Sequence, residues 1–329
     1  MRFGLIGAGR IGRIHGGNAA ARSDSTLALV ADADAKAAGE VAAMHGAKVA
    51  GIDAIMASKD IDAVLICAPT DMHSDLIEKA AKAGKAIFCK KPVDLSSERI
   101  KACLKVVDKA GVPLMIGFNR RFDPNFAALK ARLDKGLAGE VELISIISRD
   151  PGPPPLSYIS RSGGLYRDMM IHDLDMARFL LGEDPIAITA AGSSIVDPEI
   201  GKAGDVDTAA VLLETKSGKI VQISCSRRAT YGYDQRVEVH GSKGMLRAGN
   251  VHESTVEFAG ANGFTIDPVQ NFFLERYANA YRLELDAFVK AVKKGVPPAP
   301  SGHDGLKAQQ LADAATESWK AGKRIVLKA

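Results

Sequence analysis

Tryptophan occurs once in this chain of 329 residues, cysteine four times, and a long apolar run nowhere. Each scarcity excludes something. No uninterrupted apolar stretch approaches the roughly 18 residues a membrane helix needs, so no membrane partner is expected. Cys67, Cys89, Cys103 and Cys225 are scattered without C-x-x-C spacing. Cys67 and Cys89 fall in strand-like apolar contexts where cysteine acts as a small hydrophobe, which argues against disulfides and zinc alike. The His and Asp residues form no recognisable ligand spacing either, so no metal is expected. Charge of one sign is missing in bulk: 43 basic and 39 acidic residues leave a net +4, carried by pairs such as Lys90-Lys91, Arg120-Arg121, Arg227-Arg228 and Lys293-Lys294. With little aromatic interleaving, that pattern excludes nucleic acid as a partner, while a mild positive excess suits an anionic dinucleotide. Internal repeats are absent too. Met1-Arg2 runs straight into an apolar stretch with no room for a secretory leader, so the chain is expected to be cytoplasmic.

What is present is a globular composition, 47% hydrophobic and 25% charged, on a length that suits two domains. The chain opens with Phe3-Gly4-Leu5-Ile6-Gly7-Ala8-Gly9-Arg10-Ile11-Gly12, a strand followed by G-x-G-x-x-G, and Asp32 follows twenty residues after Gly12. In a dinucleotide site the first glycine allows a tight turn, the second lets backbone N–H groups approach the pyrophosphate at a helix N-terminus, and the third lets helix and strand pack closely. A carboxylate at the position of Asp32 accepts hydrogen bonds from a ribose diol and repels a 2′-phosphate, which favours NAD over NADP. Arg10, in the glycine loop, can attract phosphate, so NADP stays open as a second cofactor.

Short apolar strands at Phe3–Ile6, Ala28–Asp32, Ala63–Cys67, Ala86–Cys89 and Leu114–Gly117 alternate with helix-like stretches that stop at Gly84 and Gly111. Strands that read as continuous apolar runs belong to a parallel sheet covered on both faces, so residues 1–122 are expected to form a doubly wound α/β domain. After Phe122-Asp123-Pro124 the rhythm changes. A β-rich stretch is expected at Val141–Ser148, and strands rich in β-branched residues at Ile186–Ser193, Asp207–Thr215, Lys219–Arg227 and Gln235–His240, the last four reading as antiparallel meanders. Helices are expected around Met170–Leu181, Asn271–Lys293 and Asp304–Ala321. Residues 123–329 thus form a second, α+β domain.

Three clusters could carry chemistry. Lys90-Lys91-Pro92 lies at the carboxyl end of the fourth expected strand, where open α/β sheets place ligands; it is a cofactor-facing lysine or a solvated basic turn. A Lys-Pro bond also has a real chance of being cis. Asp168 and His172, if they share a helix, lie on one face a turn apart and form an acid–base pair; the alternative makes Asp168 a helix N-cap and His172 a core histidine. Arg121, Asp150 and the Thr230-Tyr231-Gly232-Tyr233-Asp234 stretch supply guanidinium, carboxylate and hydroxyl groups suited to a substrate bearing many hydroxyls.

These motifs together resemble the Gfo/Idh/MocA family of NAD(P)-dependent oxidoreductases, and in particular its bacterial inositol-oxidising members. The residues behind the resemblance are Gly7 through Gly12, Ala68-Pro69-Thr70 with His73, Lys91-Pro92, Gly117 through Asp123, Gly163-Gly164 through Asp168 with His172-Asp173, and Tyr231 through Asp234. The resemblance implies a Rossmann domain followed by a domain with a large, open, mostly antiparallel sheet whose exposed face pairs subunits into homo-oligomers, dimers or tetramers. It implies Lys91, Asp168 and His172 as the catalytic set. Gly7, Gly9, Arg10, Ile11, Asp32, Thr70 and His73 are the expected cofactor-binding residues, and Arg121, Asp150 and Tyr233 the expected substrate contacts. The implied reaction is NAD-dependent oxidation of a secondary hydroxyl of a cyclic polyol, myo-inositol to 2-keto-myo-inositol (scyllo-inosose). Scyllo-inositol or an aldose as substrate, and a non-catalytic dinucleotide-binding regulator, are the alternatives. Where the family usually reads Glu-Lys-Pro this chain has Lys90-Lys91-Pro92, which reverses a charge beside the expected catalytic lysine.

Overall fold

The structure, a computed structural model, describes residues 1–327. The chain runs β1 (Arg2–Ile6), α1 (Arg10–Ala20), β2 (Thr26–Ala31), α2 (Ala35–His45), β3 (Lys48–Val49), α3 (Ile52–Ala57), β4 (Ala63–Ile66), α4 (His73–Lys82), β5 (Ala86–Lys90), α5 (Ser97–Ala110) and β6 (Leu114–Gly117). It continues as α6 (Pro124–Asp134), β7 (Val141–Arg149), α7 (Leu156–Ser162), α8 (Leu165–Asp168), α9 (Ile171–Leu181), β8 (Pro185–Ser193), α10 (Pro198–Lys202), β9 (Thr208–Thr215), β10 (Ile220–Ser226), β11 (Asp234–Gly241) and β12 (Gly244–Ala248). The last elements are β13 (Glu257–Gly260), β14 (Gly263–Ile266), α11 (Phe273–Arg276), α12 (Ala278–Lys294), α13 (Gly302–Ala321) and β15 (Ile325–Val326). Two compact units result: Met1–Phe122 with Ala280–Gln309, and Asp123–Asn279 with the chain from Gln310 onward.

In the first unit six strands pair in parallel in the order β3-β2-β1-β4-β5-β6, the doubly wound arrangement expected from the apolar runs. Phe3–Ile6 and all of β4 are buried in unbroken stretches because helices cover both faces of the sheet. β3 was not expected: Lys48 and Val49 are both exposed and carry no strand pattern. Local chemistry sets the helix ends. Asp34 caps α2 by accepting the Lys36 and Ala37 N–H groups, Ser96 caps α5 by accepting from Arg99, and Gly46 and Gly111 close the same helices in the left-handed conformation. Phe288 of α12 packs against Phe3 and Phe88, at ring-centroid distances of 6.3 and 5.8 Å.

Beside these rings lie two polar groups with almost no solvent contact. His15 Nε2 is 3.6 Å from Glu284 Oε1, and the ring lies tilted against Phe88 with centroids 4.7 Å apart. Burial pushes the Glu284 carboxyl well above its ordinary value and pulls His15 down to about 3, favouring the neutral form of each. The consequences have opposite signs. Between pH 3 and 6.5 the unfolded chain carries a proton on His15 that the folded one refuses, so stability from this residue is lost as pH falls. Above the ordinary carboxyl value Glu284 holds a proton that the unfolded chain releases, so stability is lost as pH rises, by about 1.4 kcal/mol per pH unit until the folded value is reached. The two slopes oppose each other where their windows overlap. Glu284→Gln, which keeps the shape and cannot ionise, should therefore show a Tm that gains on the wild type in scanning calorimetry as pH is raised above the ordinary carboxyl value. Parallel pH dependences for the two proteins would contradict this account.

The second unit is built on a mixed sheet in the order β12-β11-β7-β10-β9-β8-β15. All neighbours are antiparallel except β7 and β10, which run in parallel from Leu143↔Ile220 to Arg149↔Ser226. The expected antiparallel meander holds from β8 through β10 and breaks before β11, because β7 is inserted between β10 and β11. Burial alternates along β9, β10 and β7 from Leu143 onward: Ile144, Val221 and Leu213 face the core, while Leu143, Ile220 and Leu212 face outward. The hairpin of β13 and β14 is exposed throughout, with Phe258 and Phe264 on its surface. Asp123 opens the unit. One of its oxygens accepts the Asn125 and Phe126 N–H groups to cap α6, and its carboxylate pairs with Arg276, both side chains being at most 2% exposed. Among the described residues no helix is long and apolar enough to cross a membrane.

Candidate active site

The first unit offers a dinucleotide cradle at the carboxyl ends of β1 and β4, where the strand order reverses. Gly7 leaves β1 at φ +98, a conformation side chains rarely adopt, and its N–H bonds Ala31 O at 2.8 Å. A Cβ on Gly12 would lie 1.8 Å from Gly7 O, so only glycine lets α1 start this close to the strand. Gly9, the N-cap of α1, has no side chain to bond the first N–H groups, the first turn holds no acid, and a Cβ on Gly9 would have nothing within 4 Å. Arg10 and Ile11 form the opening of that turn. A positive helix end with a glycine cap and open space beside it fits an anionic pyrophosphate. Asp32 follows β2, half-buried, with Oδ2 accepting the Ala8 N–H at 2.5 Å and Oδ1 that of Asp34 at 2.8 Å. Its carboxylate thereby stands beside the glycine loop, where a ribose diol would be read. The residues present fit NAD.

Thr70 starts a 3₁₀ turn after β4, and Lys91 follows β5, half-buried, its bond to Pro92 being cis. His73 departs from expectation. It is 0% exposed, with Nδ1 2.6 Å from Pro92 O and Nε2 2.8 Å from Ala68 O. Burial pulls the ring down to about 4, against the pull of those two carbonyls. Such a ring has no surface to give a cofactor; it ties the loop after β4 to the Lys91-Pro92 turn, which corrects the direct contact expected of it. The ammonium of Lys90 lies within electrostatic reach of His73 and of Cys67, whose thiol burial pushes up to about 12. Lys90 is the last residue of β5 and immediately precedes Lys91.

Asp168 and His172 belong to the second unit and do not share a helix. Asp168 ends α8 and His172 sits in the first turn of α9, with Met169-Met170 between them. The hydrogen-bond ladder slips there: Met170 N reaches five residues back to Leu165 O at 2.9 Å, and His172 N only three back to Met169 O at 3.4 Å. The reading of Asp168 as an N-cap fails as well, since Met170 holds that position for α9. Both residues are half-buried. Tyr158, which nothing in the sequence marked, donates its hydroxyl to Asp168 Oδ1 at 2.9 Å; burial and that carboxylate push the phenol upward.

The three expected substrate contacts differ in situation. Arg121 lies in the first unit and pairs with Asp304 at 3.1 Å. Burial raises the Asp304 carboxyl, but Arg121 and Ser301 prevail and hold it at about 2. Tyr233 is 6% exposed, with its ring edge-on to Tyr277 at 5.9 Å. Asp150 is half-buried at the end of β7, its N–H bonded to Ser226 O at 2.9 Å.

Comparison with known proteins bears on these features. A model described as "Oxidoreductase family, NAD-binding Rossmann fold" matches residues 1–118, and one described as "GFO/IDH/MocA C-terminal domain" matches residues 126–247. An inositol 2-dehydrogenase of Rhizobium meliloti is 55% identical over 325 residues, 99% of this chain and 98% of that protein. The crystal structure of a myo-inositol dehydrogenase from Corynebacterium glutamicum is 42% identical, covers 100% of this chain and 99% of its own, and superposes with a TM-score of 0.96. A scyllo-inositol dehydrogenase from Lactobacillus casei, solved with NAD(H) and scyllo-inositol, is 30% identical with a TM-score of 0.92 over 99% of this chain and 98% of its own.

Proposed function

This chain belongs to the Gfo/Idh/MocA family of oxidoreductases, and from that premise we propose that it is an NAD-dependent inositol 2-dehydrogenase, oxidising myo-inositol to scyllo-inosose. The observation that carries the proposal is the 55% identity to an inositol 2-dehydrogenase along essentially the whole of both chains. The glycine loop and Asp32 fit the cofactor that this reaction uses. When bound, NAD accepts hydride from the carbinol carbon; the proton and the charge left on oxygen fall to the protein. His172 takes the hydroxyl proton, Lys91 donates a hydrogen bond to the oxygen as negative charge builds there, and Asp168 orients the imidazole or the substrate. Gly7, Gly9, Arg10 and Ile11 cradle the pyrophosphate, Asp32 takes the ribose diol, and Thr70 lies along the cofactor. Arg121, Asp150 and Tyr233 complete the polyol contacts in this reading.

The outward face of the second unit's sheet, with Leu143, Leu212 and Ile220 exposed among small residues, is the proposed surface for self-association into dimers or tetramers. A cytoplasmic location is proposed on the reaction's demand for NAD and on four buried cysteines that are all free thiols.

The test is NADH formation at mildly alkaline pH with myo-inositol, scyllo-inositol, glucose and other polyols, each with NAD and with NADP. Turnover with myo-inositol and NAD exceeding every other pairing is the expected result. A preference for scyllo-inositol, the ligand of the Lactobacillus casei relative, would move the substrate within the class. NAD binding with no turnover of any polyol would favour a regulator.

A further inference from the structure

Asp205 closes the amino end of α8. Its two carboxylate oxygens accept the Leu165 N–H at 2.9 and 3.1 Å, a task that no side chain at the cap can perform because Gly164 occupies it. Gly164 stands at φ +88, and a Cβ there would lie 2.7 Å from Asp205 Oδ1, so glycine is what admits the carboxylate. Arg227, immediately after β10, meets the same carboxylate with Nη2 3.5 Å from Oδ2. The arginine is 1% exposed, yet its Nε and Nη2 make no hydrogen bond within the protein. An ion pair buried in this way is a poor device for stability, since apolar residues of similar volume hold a core as well or better. What the pair does supply is a fixed place. α8 has four residues, too few to persist without anchors, and its last residue is Asp168, whose N–H bonds Gly164 O at 2.9 Å. The turn that Asp205 grips therefore sets the backbone from which the Asp168 carboxylate projects. Arg227 also lies within electrostatic reach of the Tyr158 hydroxyl that holds Asp168 from the other side.

We propose that Asp205 and Arg227 are positioning residues for Asp168: the buried pair fixes the amino end of α8 and so the placement of the Asp168 carboxylate during turnover. This rests on the reading of Asp168 as one of the catalytic set. A displacement of about 1 Å in such a group can cost on the order of a hundredfold in rate.

The experiment compares Arg227→Met, Asp205→Asn, the double variant and Asp168→Ala in the full chain, reading kcat, KM for myo-inositol, KM for NAD, and Tm. Arg227→Met and Asp205→Asn should each lower kcat by about tenfold or more with KM for NAD within about twofold. The double variant should be no slower than the slower single, because the two act as one unit. Folded single variants with wild-type kcat, however far Tm falls, overturn the proposal and leave the pair a purely structural role. If Arg227→Met does not fold, Asp205→Asn, which keeps its shape and one acceptor oxygen, decides alone. Asp168→Ala separates the two levels. Wild-type turnover there removes the catalytic reading of Asp168 and this proposal with it, whereas an impaired Asp168→Ala beside unimpaired pair variants overturns only the positioning role.

Discussion

Replacing His172 with alanine is expected to lower kcat on myo-inositol by about a hundred- to ten-thousand-fold, the usual contribution of a positioned general base, and to leave the affinity for NAD within about twofold. The size follows from the reaction. Hydride leaves a carbinol carbon readily only as its hydroxyl proton departs, and no other imidazole lies in the segment Ser162–Asp175 to accept it. The break between α8 and α9 lets Asp168 and His172 be aimed by separate short segments rather than by one continuous helix. Loss of the imidazole should also change the pH profile. A rate that depends on a free base flattens once that base is deprotonated, whereas the alanine variant must draw on hydroxide and should keep rising through the alkaline range. Near wild-type turnover of the variant, or an unaltered profile, would remove His172 from the mechanism.

Gly12→Ala is expected to be nearly as damaging by a different route. Its Cβ would stand 1.8 Å from Gly7 O and 2.9 Å from Gly7 C, backbone atoms that cannot rotate aside. Either α1 backs away from β1 or the Gly7 turn opens, and both displace the N–H groups that meet the pyrophosphate. The expected outcome is a loss of NAD affinity of about a hundredfold, equivalent to about 2.7 kcal/mol, with a fall in stability of about 1–3 kcal/mol from overpacking. Titration calorimetry and thermal unfolding measure the two effects. Gly9→Ala is the control: with nothing within 4 Å of its Cβ and an ordinary φ of −69, it should keep the wild-type Tm. Any affinity it loses then reports space that the ligand itself requires. A Gly12→Ala protein that binds NAD normally would show that this close approach is not what shapes the site.

The glycine loop could be read from the sequence because its chemistry lies in the backbone and needs residues in a fixed local order. The caps at Asp34 and Ser96 and the stops at Gly46 and Gly111 belong to the same class of short-range signal. Features that depend on partners distant in sequence left no such trace. His15 and Glu284 meet across most of the chain, and neither residue's neighbours announce a buried carboxyl. The parallel pairing of β7 with β10 is decided by the whole path between them, while each strand alone shows only the two-residue period common to both pairings. Asp205 carries no local signal in the sequence, and Arg227 reads only as one of a basic pair at a strand end. The slip between α8 and α9 escaped because Asp168-Met169-Met170-Ile171-His172 contains no glycine or proline to mark a break; tertiary placement interrupts it. His73 illustrates a subtler miss: its importance to the site could be read, but its burial could not, so a residue that shapes the loop read as one that touches the ligand.

Asp123 carries a consequence for how the second unit is made. Its carboxylate caps α6 using neighbours two and three residues away, contacts available as soon as that helix forms. Its counter-ion, Arg276, lies 153 residues further along the chain. Any arrangement that buries Asp123 without Arg276 leaves a negative charge with no cation beside it, which costs about 3–5 kcal/mol. Partly assembled versions of the unit are penalised accordingly, because every strand from β7 to β14 lies between the two partners. The ion pair acts as a completion check, favouring all-or-none folding over the accumulation of a half-built sheet with open edges.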